Sequence, residues 1–336
     1  MVSETRSRAV RAFLPLLLSL SILPLSADAQ EGRGGTLDAA RALSPEAAAA
    51  LAPSAAVPPP RPPPDLGRGH RLSWPENKRR AGWTELVTTS AYVGGLLGFR
   101  AIDYPGAPRW SRENSFDRFM RDRMIVSERA RGGIARASDG LLYALVAYPV
   151  VVEDLSLVLL GDRNPGLAGQ LLAIDAQAFA LAGLLVGVTK VGAGRERPTA
   201  RAAGCGDHPN APACTAEDRN GSFFSGHAAM AFTGASLVCF HQQQVPNLYG
   251  SRAAGIGVCA SAMTLATTTA AFRVMADKHW TTDVLVGAGV GIFSGWLLPW
   301  LMHGRTFLDV EGERVRGSFS PMLDRTTYGL GFQGTF

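Results

Sequence analysis

The sequence predicts an all-α protein: a helical bundle of about six helices, membrane-integral, ending in a short β-like C-terminal tail. Three observations lead there. Five apolar segments, 139–160, 168–190, 226–241, 253–272 and 279–302, are each long enough for a helix and carry Gly and Ala at helix-packing positions. The connections between them are mostly short and polar. In the tail the pattern changes to "TYGLGFQGTF", where Gly alternates with Tyr, Leu and Phe as in a strand or hairpin.

In chain order, residues 1–29 read as an export signal: Arg6, Arg8 and Arg11 precede the apolar "AFLPLLLSLSILPLS", and "ADA" supplies small residues for cleavage near Ala29. The alternative is an uncleaved anchor, against which stand the short apolar core and its interruption by Pro15 and Pro24. Residues 30–75, with "VPPPRPPPDLG", are too rich in Ala and Pro to build a core and form a semi-rigid linker. A helical domain is expected over 76–303 and the tail over 304–336.

Within that domain, "LVTTSAYVGGLLGF" (86–99) is too short to cross a bilayer and reads as a packed helix. In "NSFDRFMRDRMIV", Phe116, Phe119, Met120 and Met124 share one helical face, with Arg118, Arg121 and Arg123 largely elsewhere. That helix suits either a membrane surface or the surface of a soluble domain.

Composition narrows the partners. The 336 residues are 46% apolar with a formal charge of +5, enough for a sizeable core and at the apolar edge of the soluble range. No long Lys/Arg run and no aromatic-interleaved basic motif is present, so nucleic acid is not an expected partner. Cys205 and Cys214 bound a short polar loop, "CGDHPNAPAC", and in an oxidising compartment would bridge. Cys239 and Cys259 lie in apolar stretches and read as small core residues.

Polar residues interrupt the long helices at three places. "KVGAGRERP" gives Lys190 and, after a spacer of six, Arg197. "GSFFSGHAAMAF" puts Ser225, Gly226 and His227 at a helix start, where Ser caps and free amides bind anions. "FRVMADKHWTTD" gives Arg273, His279 and Asp283. With His279 on the first turn of the last helix, Asp283 at i+4 can accept from one imidazole nitrogen and leave the other free as a nucleophile. Each stretch alone fits an ordinary helix end. Together they supply cations, donors, a nucleophile and an acid, the inventory for phosphoryl transfer.

The order and spacing K-x6-RP, SGH and R-x5-H-x3-D resemble the type 2 phosphatidic acid phosphatase superfamily, which also holds bacterial acid phosphatases and vanadium haloperoxidases. The resemblance extends in helical layout over roughly residues 86–302. It implies that His279 attacks phosphorus to form a phosphohistidine and that Asp283 orients it. It implies further that His227 protonates the leaving oxygen and then activates water, while Lys190, Arg197, Ser225, Gly226 and Arg273 hold the phosphate oxygens. No metal and no cofactor are implied; vanadate enters only for a haloperoxidase. Phe224 and Phe272 stand where the family usually has Pro and Ser, and they could line an apolar entrance for a lipid tail.

These expectations combine into an exported phosphatase of lipid phosphates or prenyl pyrophosphates, embedded in the inner membrane with its site facing the periplasm. The alternatives are a soluble periplasmic acid phosphatase, a haloperoxidase, or a non-enzymatic lipid-binding membrane protein. If the mature start is outside and 86–99 does not span, five spans from residue 139 place both 190–225 and 273–279 outside. A spanning 86–99 block would invert this. Against an outer face stand the positive charges of Lys190, Arg195, Arg197, Arg201 and Arg219, which the positive-inside tendency disfavours there. Asp175 and Gln177, inside an apolar helix, require partners.

Overall fold

The computed structural model describes residues 71–304, apart from residues 206, 209, 216 and 217, together with the backbone of four short strands between 309 and 335. The expected signal at 1–29 and the linker up to residue 70 lie outside the described residues. The helices are α1 (Trp83–Arg100), α2 (Ser115–Met124), α3 (Glu128–Ala147, continuing as a π-helix over Tyr148–Gly161) and α4 (Pro165–Ala193). Short α5 (Pro198–Ala203) and α6 (Pro212–Thr215) precede α7 (Gly226–Gln244), α8 (Arg252–Met275) and α9 (Thr281–Ile292, extended by π-helical turns at Phe293–Leu297 and Trp300–Gly304). In the tail, β1 (Asp309–Val310) pairs with β2 (Glu313–Arg314) and β3 (Arg316–Asp324) with β4 (Thr327–Thr335), both antiparallel.

Local chemistry sets the helix ends. Asn114, Asn164, Ser225 and Ser251 cap their helices by accepting from the amides of Asp117, Leu167, Ala228 and Ala254. Helix α4 stops at Gly194, whose φ of 53° is a left-handed conformation suited to glycine, and whose N–H closes on the Lys190 carbonyl.

Helix α7 is the centre of the bundle, buried over most of its length. Helix α9 lies against it along a stripe of Gly287, Gly291 and Gly295, spaced at i, i+4. A methyl added at Gly287 would stand 2.6 Å from the Ser225 carbonyl oxygen; at Gly291 and Gly295 it would meet the carbonyls of Ala229 and Thr233 closer still. Only hydrogen fits, so the two backbones touch. Gly234 on α7 admits the Leu145 carbonyl of α3 in the same way. On either side of α7 sit two apolar clusters, one around Leu171, Ile174, Leu237 and Phe240, the other around Ala231, Ala235, Val238, Ala262 and Ala266.

Four of the helical stretches, Glu128–Gly161, Pro165–Ala193, Arg252–Met275 and Thr281–Gly304, are long and apolar enough to cross a membrane. They expose Val151, Leu160, Ile256, Leu265, Leu285 and Phe293 outward, as a bilayer requires of a membrane protein. The expected fifth span, 226–241, is not among them. It became the enclosed helix α7, which needs less hydropathy because protein surrounds it.

Ala81 bonds Gln170, Thr88 bonds Gln177, and Gly95 and Phe99 meet Leu184 and Gly187, so α1 packs along α4 from Gln170 to Gly187 in the same direction. As expected of the 86–99 block, it is a packed helix, and it is not among the stretches long and apolar enough to cross a membrane. Its Trp83, Leu86, Val87 and Leu97 face outward.

Two smaller corrections follow. The fold begins before residue 76: Leu72 and Trp74 are buried in the core, and the amides of Arg71 and Leu72 bond Asp162. Cys239 and Cys259 are not merely core residues but form a disulfide joining α7 to α8, alongside the expected Cys205–Cys214 bridge. Asp277, in the turn between α8 and α9, is fully buried and takes a bidentate ion pair from Arg121 at 2.7 and 2.8 Å. That pairing turns α2 inward at Arg121 and ties it to the α8–α9 junction.

The glycine stripe makes a prediction. Gly291→Val should lower the thermal midpoint of the detergent-solubilised protein, at a cost of about 1–3 kcal/mol for overpacking. Gly289→Val, where nothing lies within 4 Å, should leave the midpoint nearly unchanged.

Candidate active site

Four helix ends converge. Lys190 closes α4, Ser225 and Gly226 open α7, Arg273 closes α8, and His279 precedes α9. His279 is buried, and its Nδ1 lies 2.8 Å from the Ser222 carbonyl oxygen. A carbonyl only accepts, so Nδ1 carries the hydrogen and Nε2 keeps a free lone pair. Arg197, Lys190 and Arg273 all lie near enough to the ring to act on it electrostatically. Burial, and then these cations, hold its pKa well below the usual histidine value.

Asp283 lies 3.7 Å from His279 Nδ1, and the direct acceptor is Ser222. The expected Asp283–His279 hydrogen bond is thus replaced by a relay. Asp283 accepts from the Ser222 hydroxyl at 2.5 Å and from the Trp280 amide at 3.0 Å, while its backbone carbonyl accepts the Ser225 N–H at 3.0 Å. Positioning of the imidazole passes through the segment before α7.

Arg195, one of the spacer residues between Lys190 and Arg197, completes that anchor. Only 1% exposed, it bonds Asp283 at 2.5 Å, Thr282 at 2.8 Å and Asp117 of α2 at 2.6 Å. Its guanidinium stacks on Trp110 at 4.1 Å. Asp117 in turn accepts from both the amide and the hydroxyl of Thr282 at 2.8 Å. Two buried carboxylates face one buried cation, with hydroxyl and amide donors satisfying the remaining oxygens.

On the other side stands His227, whose Nε2 lies 2.7 Å from Asp139 Oδ1. The same oxygen accepts from Arg273 at 3.0 Å, and Arg273 also bonds Ser138. Arg197 bonds the Lys278 carbonyl and the half-exposed Asp218. Asp139 and Asp218 therefore hold the two guanidiniums from the positions an incoming oxyanion would compete for. Gly226 lies against Val186 of α4, where a Cβ would approach to 3.2 Å, and this keeps the start of α7 close to the Lys190 end of α4.

All eight residues expected at the site, Lys190, Arg197, Ser225, Gly226, His227, Arg273, His279 and Asp283, belong to this one end of the bundle. Ser138, Asp139, Asp117, Arg195 and Ser222 were not foreseen. One signal was available: Ser138 and Asp139 open an apolar run, where polar residues need partners. Phe224 is buried, so it does not line an entrance; Phe272 is half-buried. The charge that argued against an outer loop is largely paired: Arg195 with Asp117 and Asp283, Arg197 with Asp218, Arg201 with Glu196.

Such a pocket of cations, helix-start amides and a neutral imidazole is built to receive a phosphoryl group. Residues 172–307, the part of the chain that carries the three motifs, match the PAP2 superfamily. The chain is 36% identical over 133 residues to lipid A 1-phosphatase from Porphyromonas gingivalis, a match covering 40% of this chain and 24% of the relative. The match thus spans about a quarter of that relative's length. No solved structure matches the chain.

Arg195→Met would leave Asp117 and Asp283 buried without their cation. The expected cost is about 3–5 kcal/mol, read as a lower thermal midpoint. Arg201→Met, which removes an exposed 3.6 Å pair to Glu196, should have little effect.

Proposed function

We propose that this protein is a metal-independent phosphatase acting on lipid phosphate monoesters or pyrophosphates through a phosphohistidine. The observation that carries this reading is a buried His279 whose Nδ1 is engaged by the Ser222 carbonyl, with Lys190, Arg197 and Arg273 near enough to act on its ring. His279 Nε2 attacks phosphorus as the bond to the leaving oxygen breaks, and His227, hydrogen-bonded to Asp139, gives that oxygen a proton. His227 then takes a proton from water, whose oxygen displaces the imidazole and releases inorganic phosphate. Lys190, Arg197, Arg273, the Ser225 hydroxyl and the Gly226 amide stabilise the equatorial oxygens as charge develops. The membrane bundle and the resemblance to a lipid A 1-phosphatase support an amphiphilic substrate.

The site is proposed to face the periplasm of an inner-membrane protein. What supports this is the Cys205–Cys214 bridge, which lies in the loop between α5 and α7 at the site end and belongs in an oxidising compartment. With the site outside, α9 leads away from it and its Gly304 end lies inside. Green fluorescent protein fused after Phe336 should fluoresce and alkaline phosphatase fused there should be inactive; the reverse pattern would place the site inside.

Activity is tested with lipid phosphates, prenyl pyrophosphates and a soluble aryl phosphate. His279→Ala should lower kcat by roughly 1,000-fold or more on whichever substrate is turned over; release that survives the substitution would refute the mechanism. The depressed His279 pKa keeps the ring neutral as pH falls through 6.5, so the acid limb of kcat/KM that belongs to this residue should lie below pH 6.5. A limb at or above that value would contradict the assignment.

A further inference from the structure

A second polar cluster lies at the other end of the bundle, and the phosphatase chemistry does not use it. His241 is about 21 Å further along α7 than His227, at 1.5 Å per residue. Around it stand Glu153 and Asp154 from the π-helical part of α3 and Asp175 from α4, all essentially without solvent contact. Among the described residues, these carboxylates form no salt bridge to Lys or Arg; their ion-pair partner is His241. Three buried carboxylates facing one imidazole call for a further positive charge.

The geometry says where it would sit. His241 Nδ1 lies 2.8 Å from Glu153 Oε2, and Glu153 also accepts from the Tyr249 hydroxyl. A carboxylate on Nδ1 fixes the hydrogen there and turns the Nε2 lone pair outward, the arrangement in which a histidine ligates a metal with a carboxylate behind it. Nε2 is 3.1 Å from Asp175 Oδ1 yet out of hydrogen-bonding alignment with it. Both oxygens of Asp154 and both of Asp175 have no hydrogen-bond partner. One donor atom each from His241, Asp154 and Asp175 lies within 4.8 Å of the others. Ligand atoms on one tetrahedral first-row ion stand about 3.4 Å apart, so side-chain shifts of up to about 1.4 Å would close the set.

We propose that His241, Asp154 and Asp175 bind one divalent transition-metal ion, Zn2+ or Mn2+, with Glu153 and Tyr249 orienting the histidine. One imidazole with two carboxylates favours these ions over Mg2+ or Ca2+, which prefer all-oxygen sites. The ion would tie α3, α4 and α7 together at the end opposite the phosphate site. It is a clamp on the bundle and takes no part in hydrolysis.

The test uses the full chain, tag removed, stripped with a chelator in detergent, then equilibrated with Zn2+, Mn2+ or Mg2+ and freed of excess. All four cysteines are in disulfides, so no thiol competes. The expected result is about one Zn2+ or Mn2+ retained per chain and a thermal midpoint raised by roughly 5 °C, with no rise in Mg2+. Asp175→Asn should weaken binding by roughly 100-fold and Glu153→Gln by about 10–100-fold, while His279→Ala binds like the wild type. Absence of retained metal and of any midpoint rise in the wild type would overturn the proposal. Binding undiminished in both Asp154→Asn and Asp175→Asn would do the same. Should Asp175→Asn fail to fold, the wild-type stoichiometry and Glu153→Gln decide. Phosphate release is not a readout here, so failure of the phosphatase reading would leave these outcomes intact.

Discussion

The buried pair between Arg195 and Asp283 is the constraint on which the phosphate site depends. Asp283 receives Arg195 from the loop after α4, the Ser222 hydroxyl from the loop before α7, and the amide at the start of α9. Its own carbonyl receives the Ser225 amide. Three chain segments far apart in sequence thus share one carboxylate, and a fourth, α2, joins through Asp117. A buried ion pair is weak evidence of net stability, because desolvation offsets most of its attraction. What it supplies here is register: the His279 ring and the cations of the site are fixed relative to each other, the pre-organisation that catalysis by charge stabilisation requires.

Packing makes that register possible. The glycine stripe of α9 lets its backbone touch α7, so the helix carrying Asp283 and the helix opened by Ser225 sit at a separation that no Cβ allows. The same α7 reaches the opposite end of the bundle, where His241 gathers Glu153, Asp154 and Asp175. One central helix thus carries a polar centre at each end, with apolar clusters between. The two centres use histidine differently. His279 lies near three cations and is held neutral with its Nε2 lone pair available, whereas His241 is surrounded by carboxylates.

Much of this was legible in the sequence. The fold class followed from the apolar segments, and the site residues from three short motifs whose spacing matters because a tetrahedral anion must be met from several helix ends at once. Other features were not legible, for identifiable reasons. The burial of Glu85 beside the apolar 86–99 block was hidden because its partners are set by the fold; that carboxylate is satisfied by Arg79 at 2.7 Å and by the Gly82 amide at 2.6 Å. The Cys239–Cys259 bridge depends on the register between two antiparallel helices, which periodicity does not set. Asp139, Arg195 and Ser222 act through partners more than 60 residues away in sequence, so no local spacing marks them.

The central claim is that His279 becomes covalently phosphorylated while His227 serves proton transfer. The direct measurement is rapid acid-free quenching of the His227→Ala protein with a turned-over lipid phosphate, followed by mass spectrometry of the peptide containing residue 279. Loss of the group that activates water should let the intermediate accumulate, and the account predicts an acid-labile, base-stable phosphoryl group on His279. Phosphate on any other residue, or continued product release with His279 never modified, would contradict it.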